Sequence, residues 1–283
     1  MESRNITSDN LEDYEKILDA DVTENIGRDN FRGLALHKGK DDPACAALIW
    51  ELKNLDEDKD NEAELVYYFA GDKKNGEQLL EEAEAEFQED EVKRSFFEFP
   101  EDTENAESIF KQAGFHPEKR EGRDITVTVG ELAALDIAKG NVPDFVSPIG
   151  NLMVRQFRKG IANCMFHGKK GLLEDLASLP MSWYDPEVSC CVEADGKVNG
   201  FLLIHKMNSG KLIVELMCAI GPDYRMDILH MLRFSIKAAA EKYPEETQVI
   251  LRRHNDAVKN LSARLFPGKQ GETVLAGERE EGR

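Results

Sequence analysis

With 283 residues and a formal net charge of −19, the chain is long enough for two ordinary domains. It is too acidic overall to begin binding by neutralising phosphates, which argues against nucleic acid and anionic membrane as partners. Hydrophobic residues (41%) can fill real cores and charged residues (32%) a polar surface, and no apolar run nears the roughly 20 residues that span a bilayer. The start "MESRNITSDN" is polar and lacks a basic segment followed by an apolar one, so a cytoplasmic protein with no membrane contact is expected.

The charge is uneven. Residues 1–140 carry 37 Asp and Glu against 17 Lys and Arg, a net of −20, and the remaining residues a net of +1. Such an asymmetry indicates two domains with different surfaces, the acidic one suited to solubility or to attracting a cationic amine.

In chain order, residues 11–25 read as a helix, followed by a strand at "FRGLALHKG", a long strand at "ACAALIWELKNL" and an acidic turn at "DEDKDNE". A strand "ELVYYFA", a helix "NGEQLLEEAEAEFQ" and a strand "RSFFEFP" come next. "NAESIFKQAGF" places Ala106, Ile109, Phe110 and Ala113 at helical spacing, with Asn105 as N-cap and Gly114 as C-terminal cap. "DITVTV" alternates as a half-buried strand and closes the first unit. The Pro- and Gly-broken stretch 133–148 reads as a linker between residues 1–132 and 149–283.

In the second unit "NLMVRQF" and "GIANCMF" read as strands and "GLLEDLASL" as a helix. "VSCCVEADGKVNGFLLIHK" is a hairpin around Asp195-Gly196. A strand "KLIVELMCAI", a long amphipathic helix "MDILHMLRFSIKAAAEKY", a strand "QVILRRH", a helix "NDAVKNLSARLF" and a last strand "TVLAGER" complete it. The five cysteines form no C-x-x-C pair and sit in apolar segments, as reduced buried thiols do; adjacent Cys190 and Cys191 should face opposite ways on a strand. The six histidines show no close metal-ligand spacing, so no metal site is expected.

The two halves repeat. Ala70 precedes Asn105 by 35 residues and Ile220 precedes Asn255 by 35; Gly71 and Gly221 follow their strands at the same offset of 150. An internal duplication of an α/β unit accounts for this spacing.

On these residues the sequence resembles the GNAT superfamily of acyl-CoA-dependent N-acetyltransferases, twice in tandem over most of the chain. Asn105, Ala106, Phe110, Gly114 and Phe115 are similar to the family's late motif, and Asn255 stands at the equivalent place in the second half. The resemblance implies two mixed sheets flanked by helices, with acetyl-CoA as co-substrate and an amine of a small molecule or peptide as acceptor. It implies that the cofactor is held by Asn105 or Asn255 and by splayed strand ends at Phe69–Gly71 or Ala219–Gly221. It also implies a pyrophosphate loop, which resembles "KKNGEQ" with Lys73, Lys74 and Gly76 in one half and "PDYRMDILH" with Arg225 in the other. Backbone N–H groups and the dipole at a helix N-terminus favour an anion, and glycines let it approach. Both loops depart from the family pattern: Gln78 replaces the second glycine in the first, and Met226, Ile228 and His230 crowd the second.

The chemistry implied is attack of a neutral amine on a thioester, with a carboxylate taking the proton and a tyrosine returning one to the leaving thiolate. Glu64 and Glu215 on the fourth strands are the candidate bases. The motif's tyrosine is Phe110, which cannot donate a proton, and the second copy offers none either, so no general acid is visible unless Tyr67, Tyr68 or Tyr224 substitutes from elsewhere. The alternative is a degenerate tandem that binds CoA or a protein partner without catalysis. Acceptor, acyl group and oligomeric state are not encoded in any motif found.

Overall fold

The computed structural model describes residues 1–40, 42–53, 60–167, 179–194, 196–253 and 256–281. The expected acidic turn, the helix at 171–179, Asp195 of the hairpin turn and Asn255 lie wholly or largely outside these residues.

From the N-terminus run β1 (Glu2–Asn5), a 3-10 turn (Leu11–Tyr14), α1 (Ala20–Thr23), β2 (Phe31–His37), β3 (Ala44–Lys53) and β4 (Asn61–Ala70). They are followed by α2 (Lys73–Glu89), β5 (Val92–Pro100), α3 (Ala106–Gln112) and β6 (Glu118–Glu121). Next come β7 (Asp124–Thr128), α4 (Val129–Ala133), a 3-10 turn (Asp136–Lys139), β8 (Val146–Pro148) and α5 (Val154–His167). The remainder is β9 (Cys190–Ala194), β10 (Lys197–Lys206), β11 (Leu212–Ala219), α6 (Tyr224–Lys242), β12 (Gln248–Arg252), α7 (Asp256–Leu265) and β13 (Thr273–Glu280).

Two mixed sheets result, ordered β1-β2-β3-β4-β5-β13-β6 and β7-β12-β11-β10-β9-β8. Each is built on an antiparallel meander continued by one parallel pair, β4 with β5 and β11 with β12. Both faces are covered. In the first sheet α2 and α3 close over Leu48, Leu65, Phe97 and Phe110, while Tyr14 and Leu18 pack with Ile6 and Ile49 on the other side. In the second, α6 covers Leu202, Leu212 and Val249, and α5 covers Phe201, Leu203 and Leu216.

The chain does not divide where the sequence suggested. The compact units are Met1–Gly122 with Glu272–Arg283, and Arg123–Gly271. β7, expected to close the first sheet, pairs with β12 from Asp124↔Arg252 to Thr128↔Gln248. β13, expected in the second, inserts between β5 and β6 from Val274↔Pro100 to Glu280↔Arg94. The two halves have traded final strands. Alternation reads correctly which residues of a strand are buried (Ile125 and Val127; Leu275), but period-2 patterning carries no address for the partner strand.

Three further expectations give way. The stretch read as two strands forms the single helix α5, because Phe157, Gly160, Ile161 and Cys164 recur at helical spacing as one buried stripe. Gly160 lets that helix lie on the sheet, since a β-carbon there would stand 2.7 Å from Phe201. The helix expected at 11–25 is two short turns, split where Asp19 takes an extended backbone. The expected linker 133–148 is packed structure: the Arg233 guanidinium donates to the carbonyls of Ile137 (2.9 Å) and Asn141 (2.8 Å), and Lys237 to that of Gly140 (2.8 Å).

Candidate functional site

Both sheets carry the same irregularity on the fourth strand of the meander. Between β3 and β4 the register runs Ile49↔Tyr67 and then Trp50↔Leu65, so Val66 is an extra, bulged residue. Between β10 and β11 it runs Leu203↔Leu216 and then Ile204↔Val214, so Glu215 is the bulged residue. A bulge bends its strand and raises the local twist. Accordingly, parallel pairing ends at Leu65↔Phe97 in the first sheet and, among the described residues, at Val214↔Leu251 in the second. Beyond those points no pairing joins the two strands of either pair among the described residues, and this unpaired stretch, here called the wedge, has Phe69–Gly71 in the first sheet and Ala219–Gly221 in the second at the end of its strand.

The first wedge is filled by its own side chains. Tyr68, Phe97, Phe99 and Phe110 are all buried; Tyr68 lies 6.1 Å from Phe99 and 5.1 Å from Phe110 between ring centroids. The Tyr68 hydroxyl has no hydrogen-bond partner among the described residues, and burial pushes its pKa well above the usual range. It is aimed at the first turn of α2, where a β-carbon on Gly76 would stand 2.3 Å away. Gly76, read as a glycine that admits a phosphate, is required by this tyrosine and by Ile109 at 2.6 Å.

The anion position of α2 is likewise taken. Asp72 caps the helix, accepting at 2.9 Å from both the Asn75 backbone N–H and its Nδ2. Lys73 pairs with Glu77 at 3.5 Å, while Lys74 projects to solvent. Gly71 donates its N–H to the Cys45 carbonyl (2.9 Å), and Phe69 is half-buried opposite Ala47.

Asn105 does not act as the side-chain cap expected of it. Its backbone is left-handed (φ 59°), a conformation asparagine tolerates better than most residues, and its carbonyl accepts from the Ile109 N–H (3.1 Å) and the Ser108 hydroxyl (3.1 Å). Gly114 (φ 86°) ends α3 as expected, with the Phe115 N–H donating to the Phe110 carbonyl (2.9 Å).

The second wedge is lined differently. Met217, Ala219, Ile228, Leu232 and Leu251 are half-buried, and Tyr224 and Met226 are 41% and 50% exposed at the start of α6. No side chain caps this helix: Asp223 supplies only its carbonyl, to the N–H groups of Met226 (2.8 Å) and Asp227 (3.1 Å). Gly221 (φ 109°) turns the chain into it, and the Arg225 Nε donates to the Tyr224 hydroxyl at 3.0 Å. Thus Ala219, Gly221 and Arg225 lie around one helix terminus and one strand end.

The two candidate bases sit in unlike places. Glu64 precedes the bulge of β4, opposite Glu51, and shares Lys53 with it (Lys53 Nζ 3.3 Å from Glu64, 2.5 Å from Glu51). Glu215 is the bulged residue itself; its carboxylate, 13% exposed, accepts from Arg252 on β12 at 3.2 Å. Of the tyrosines weighed as acids, Tyr67 donates to the Ile17 carbonyl and is pushed up to about 12 by burial, with Asp19 adding to the shift. Tyr68 is sealed in the first wedge. Tyr224 is exposed at the start of α6, where its hydroxyl accepts from Arg225.

Neither bulge, nor the Tyr68 plug, nor the Asp72 cap was anticipated. The aspartate before "KKNGE" is a readable cap signal. A bulge leaves no such mark, since "LVYYF" and "VELMC" are both compatible with an unbroken strand.

No family model and no curated protein sequence matches the chain. Solved structures do. A tandem GNAT protein from the clavulanic acid biosynthesis pathway aligns over 100% of this chain and 99% of its own, with TM-score 0.64 and 11% identity. A GCN5-related N-acetyltransferase from Sphaerobacter thermophilus aligns over 97% and 85% (TM-score 0.54, 14% identity). A putative acetyltransferase from Pyrococcus horikoshii aligns over 99% and 89% (TM-score 0.52, 12% identity). The fold is therefore that of the GNAT acetyltransferases. Over its whole length it is similar to the tandem form of that fold. Among the described residues no helix is long and apolar enough to cross a membrane.

Proposed function

We propose that the chain is an acyl-CoA-dependent N-acetyltransferase acting on the amine of a small molecule or peptide, with Arg123–Gly271 as its working unit. The observation that carries this reading is the contrast between the wedges: aromatic rings and a capping carboxylate fill the first, whereas the second has half-buried apolar walls and an uncapped helix terminus. Half-buried apolar residues beside a helix N-terminus that no side chain caps fit a ligand with an apolar arm and an anionic head.

Acetyl-CoA would supply the activated thioester. Around it, Ala219 and Gly221 line the strand end, the N-terminus of α6 and Arg225 face the phosphates, and Asn255 is assigned to the same cofactor by its place in the repeat. Glu215, fixed by Arg252, receives the proton of the attacking amine. Tyr224, held by Arg225 at the phosphate end, is not assigned the acid's role. Phe69, Gly71, Lys73, Lys74, Gly76, Asn105 and Glu64 belong to the first unit, which we assign a non-catalytic role. There the degenerate reading holds, on the observation that Tyr68 closes the cleft.

Calorimetric titration of the full chain with acetyl-CoA tests this. Binding is expected, weakened by about tenfold or more in Arg225→Glu, which corresponds to about 1.4 kcal/mol, and unchanged in Lys74→Glu. No binding at millimolar acetyl-CoA, or loss only in Lys74→Glu, overturns it.

A further inference from the structure

The bulged residue of the second sheet carries a charge that its counterpart in the first does not. Glu215 and Val66 are the extra residues of β11 and β4. Each follows the last residue that pairs with the parallel neighbour among the described residues, Val214↔Leu251 in one sheet and Leu65↔Phe97 in the other. One step further along that neighbour stand Arg252 in the second sheet and Glu98 in the first. The fold therefore builds the same corner twice, and only in the second does it set a carboxylate beside a guanidinium, the Arg252 Nη1 donating to the Glu215 Oε2 at 3.2 Å. In the first, Glu98 pairs with Arg120 on β6 at 3.3 Å.

The pair lies where the helix cover of the sheet ends. Val249 and Leu251 point to the α6 side, so Ile250 and Arg252 alternate onto the other face. On that face α5 covers Phe201, Leu203 and Leu216, whereas Ile250 and Thr126, opposite it on β7, are only half-buried. The Arg252 side chain is 42% exposed and that of Glu215 13%. Asp124, exposed on β7, stands opposite Arg252. One surface thus presents a guanidinium flanked by two acidic side chains.

We propose that this corner selects the acceptor and that the acceptor is a free α-amino acid, its carboxylate on the Arg252 guanidinium and its ammonium against Glu215. The inference rests on the reading of Arg123–Gly271 as the transferase unit with Glu215 as its base. A guanidinium offers five N–H donors in a planar fork, so its exposed edge takes a second carboxylate while Glu215 stays in place. The nitrogen and the carboxylate oxygens of an α-amino acid are about 3 Å apart. That matches the 3.2 Å between Arg252 and Glu215. A carboxylate held on the first residue therefore brings the nitrogen to the second, and Asp124 adds to the attraction for the ammonium. A peptide's terminal amine has no carboxylate at that distance and fills only half of the site.

The test is calorimetric titration of the full chain, with and without excess CoA, against each of the standard α-amino acids. The best binder is then compared with its carboxamide and with the amine that lacks the carboxyl group. The expected result is that both analogues bind more weakly by about tenfold or more. Arg252→Gln should bring the amino acid down to the level of its carboxamide, Arg252→Lys should recover part of the difference, and Lys197→Gln, on an exposed strand end of the same unit, should change nothing. Urea unfolding of each variant establishes that it is folded. The proposal is overturned if no amino acid binds under either condition, if the carboxamide binds as tightly, or if the preference survives in Arg252→Gln. Acetyl-CoA binding is measured separately, so each of these outcomes leaves the transferase reading standing. Amino-acid binding of the expected pattern without any acetyl-CoA binding strikes that reading and keeps the amino-acid site.

Discussion

The Tyr68 hydroxyl oxygen stands 2.3 Å from where a β-carbon on Gly76 would lie. One tyrosine thus fixes the residue at the first turn of α2 and closes the wedge between β4 and β5. Gly76→Ala should destabilise the first unit by about 1–3 kcal/mol through overpacking. Tyr68→Phe should cost little, because its hydroxyl has no partner to lose. It should also recover part of the Gly76→Ala loss, the rest being the clash with Ile109. Urea unfolding of both single variants and the double variant, followed by Trp50 emission, measures this coupling.

Leu275, on β13, is buried in the first sheet's core although more than 170 residues follow β5 before it. Leu275→Ala should lower the stability of the N-terminal sheet by about 2–5 kcal/mol and leave that of the C-terminal sheet unchanged. Each unit holds one tryptophan, Trp50 and Trp183. Single-tryptophan forms assign the affected transition; an effect on Trp183 alone would contradict the strand exchange.

Asp185 is buried at the C-terminal end of α6. Its carboxylate accepts from the Tyr243 hydroxyl, from Lys242 (2.9 Å) and from the N–H groups of Glu187 (3.0 Å) and Val188 (3.1 Å). Burial, the largest single influence, pushes its pKa up, but the Tyr243, Lys242 and backbone bonds together outweigh it and hold the group below the usual carboxylate value. A depressed folded pKa means stability that is complete above the unfolded value of about 3.9 and lost as pH falls through the folded one. Asp185→Asn should cost about 2–3 kcal/mol at pH 7 and flatten that acid loss in the second unit. Chemical denaturation at pH 7 and at successively lower pH checks both parts.

Glu215→Gln keeps the shape of the side chain at the bulge and removes its charge. Acetyl-CoA turnover over a panel of amines should fall by about 10²–10⁴-fold while cofactor binding by calorimetry holds. Glu64→Gln should leave turnover intact. Equal losses in both variants would sink the assignment of chemistry to the second unit.

The α/β class, the repeat, most strands and the long helices are readable along the chain, because these rest on local periodicity and capping. The Gly114 cap and the stripe of α6 are examples. The chain's site residues were legible only as a resemblance, shared by both halves. What separates the halves was decided in three dimensions. Tyr68 is one apolar letter in "ELVYYFA" until the bulge at Val66 turns it into the wedge, and Glu215 is a carboxylate in a strand until the bulge falls on it. The traded strands β7 and β13 were equally hidden, since alternation records which side chains are buried and leaves the choice of neighbouring strand to long-range pairing.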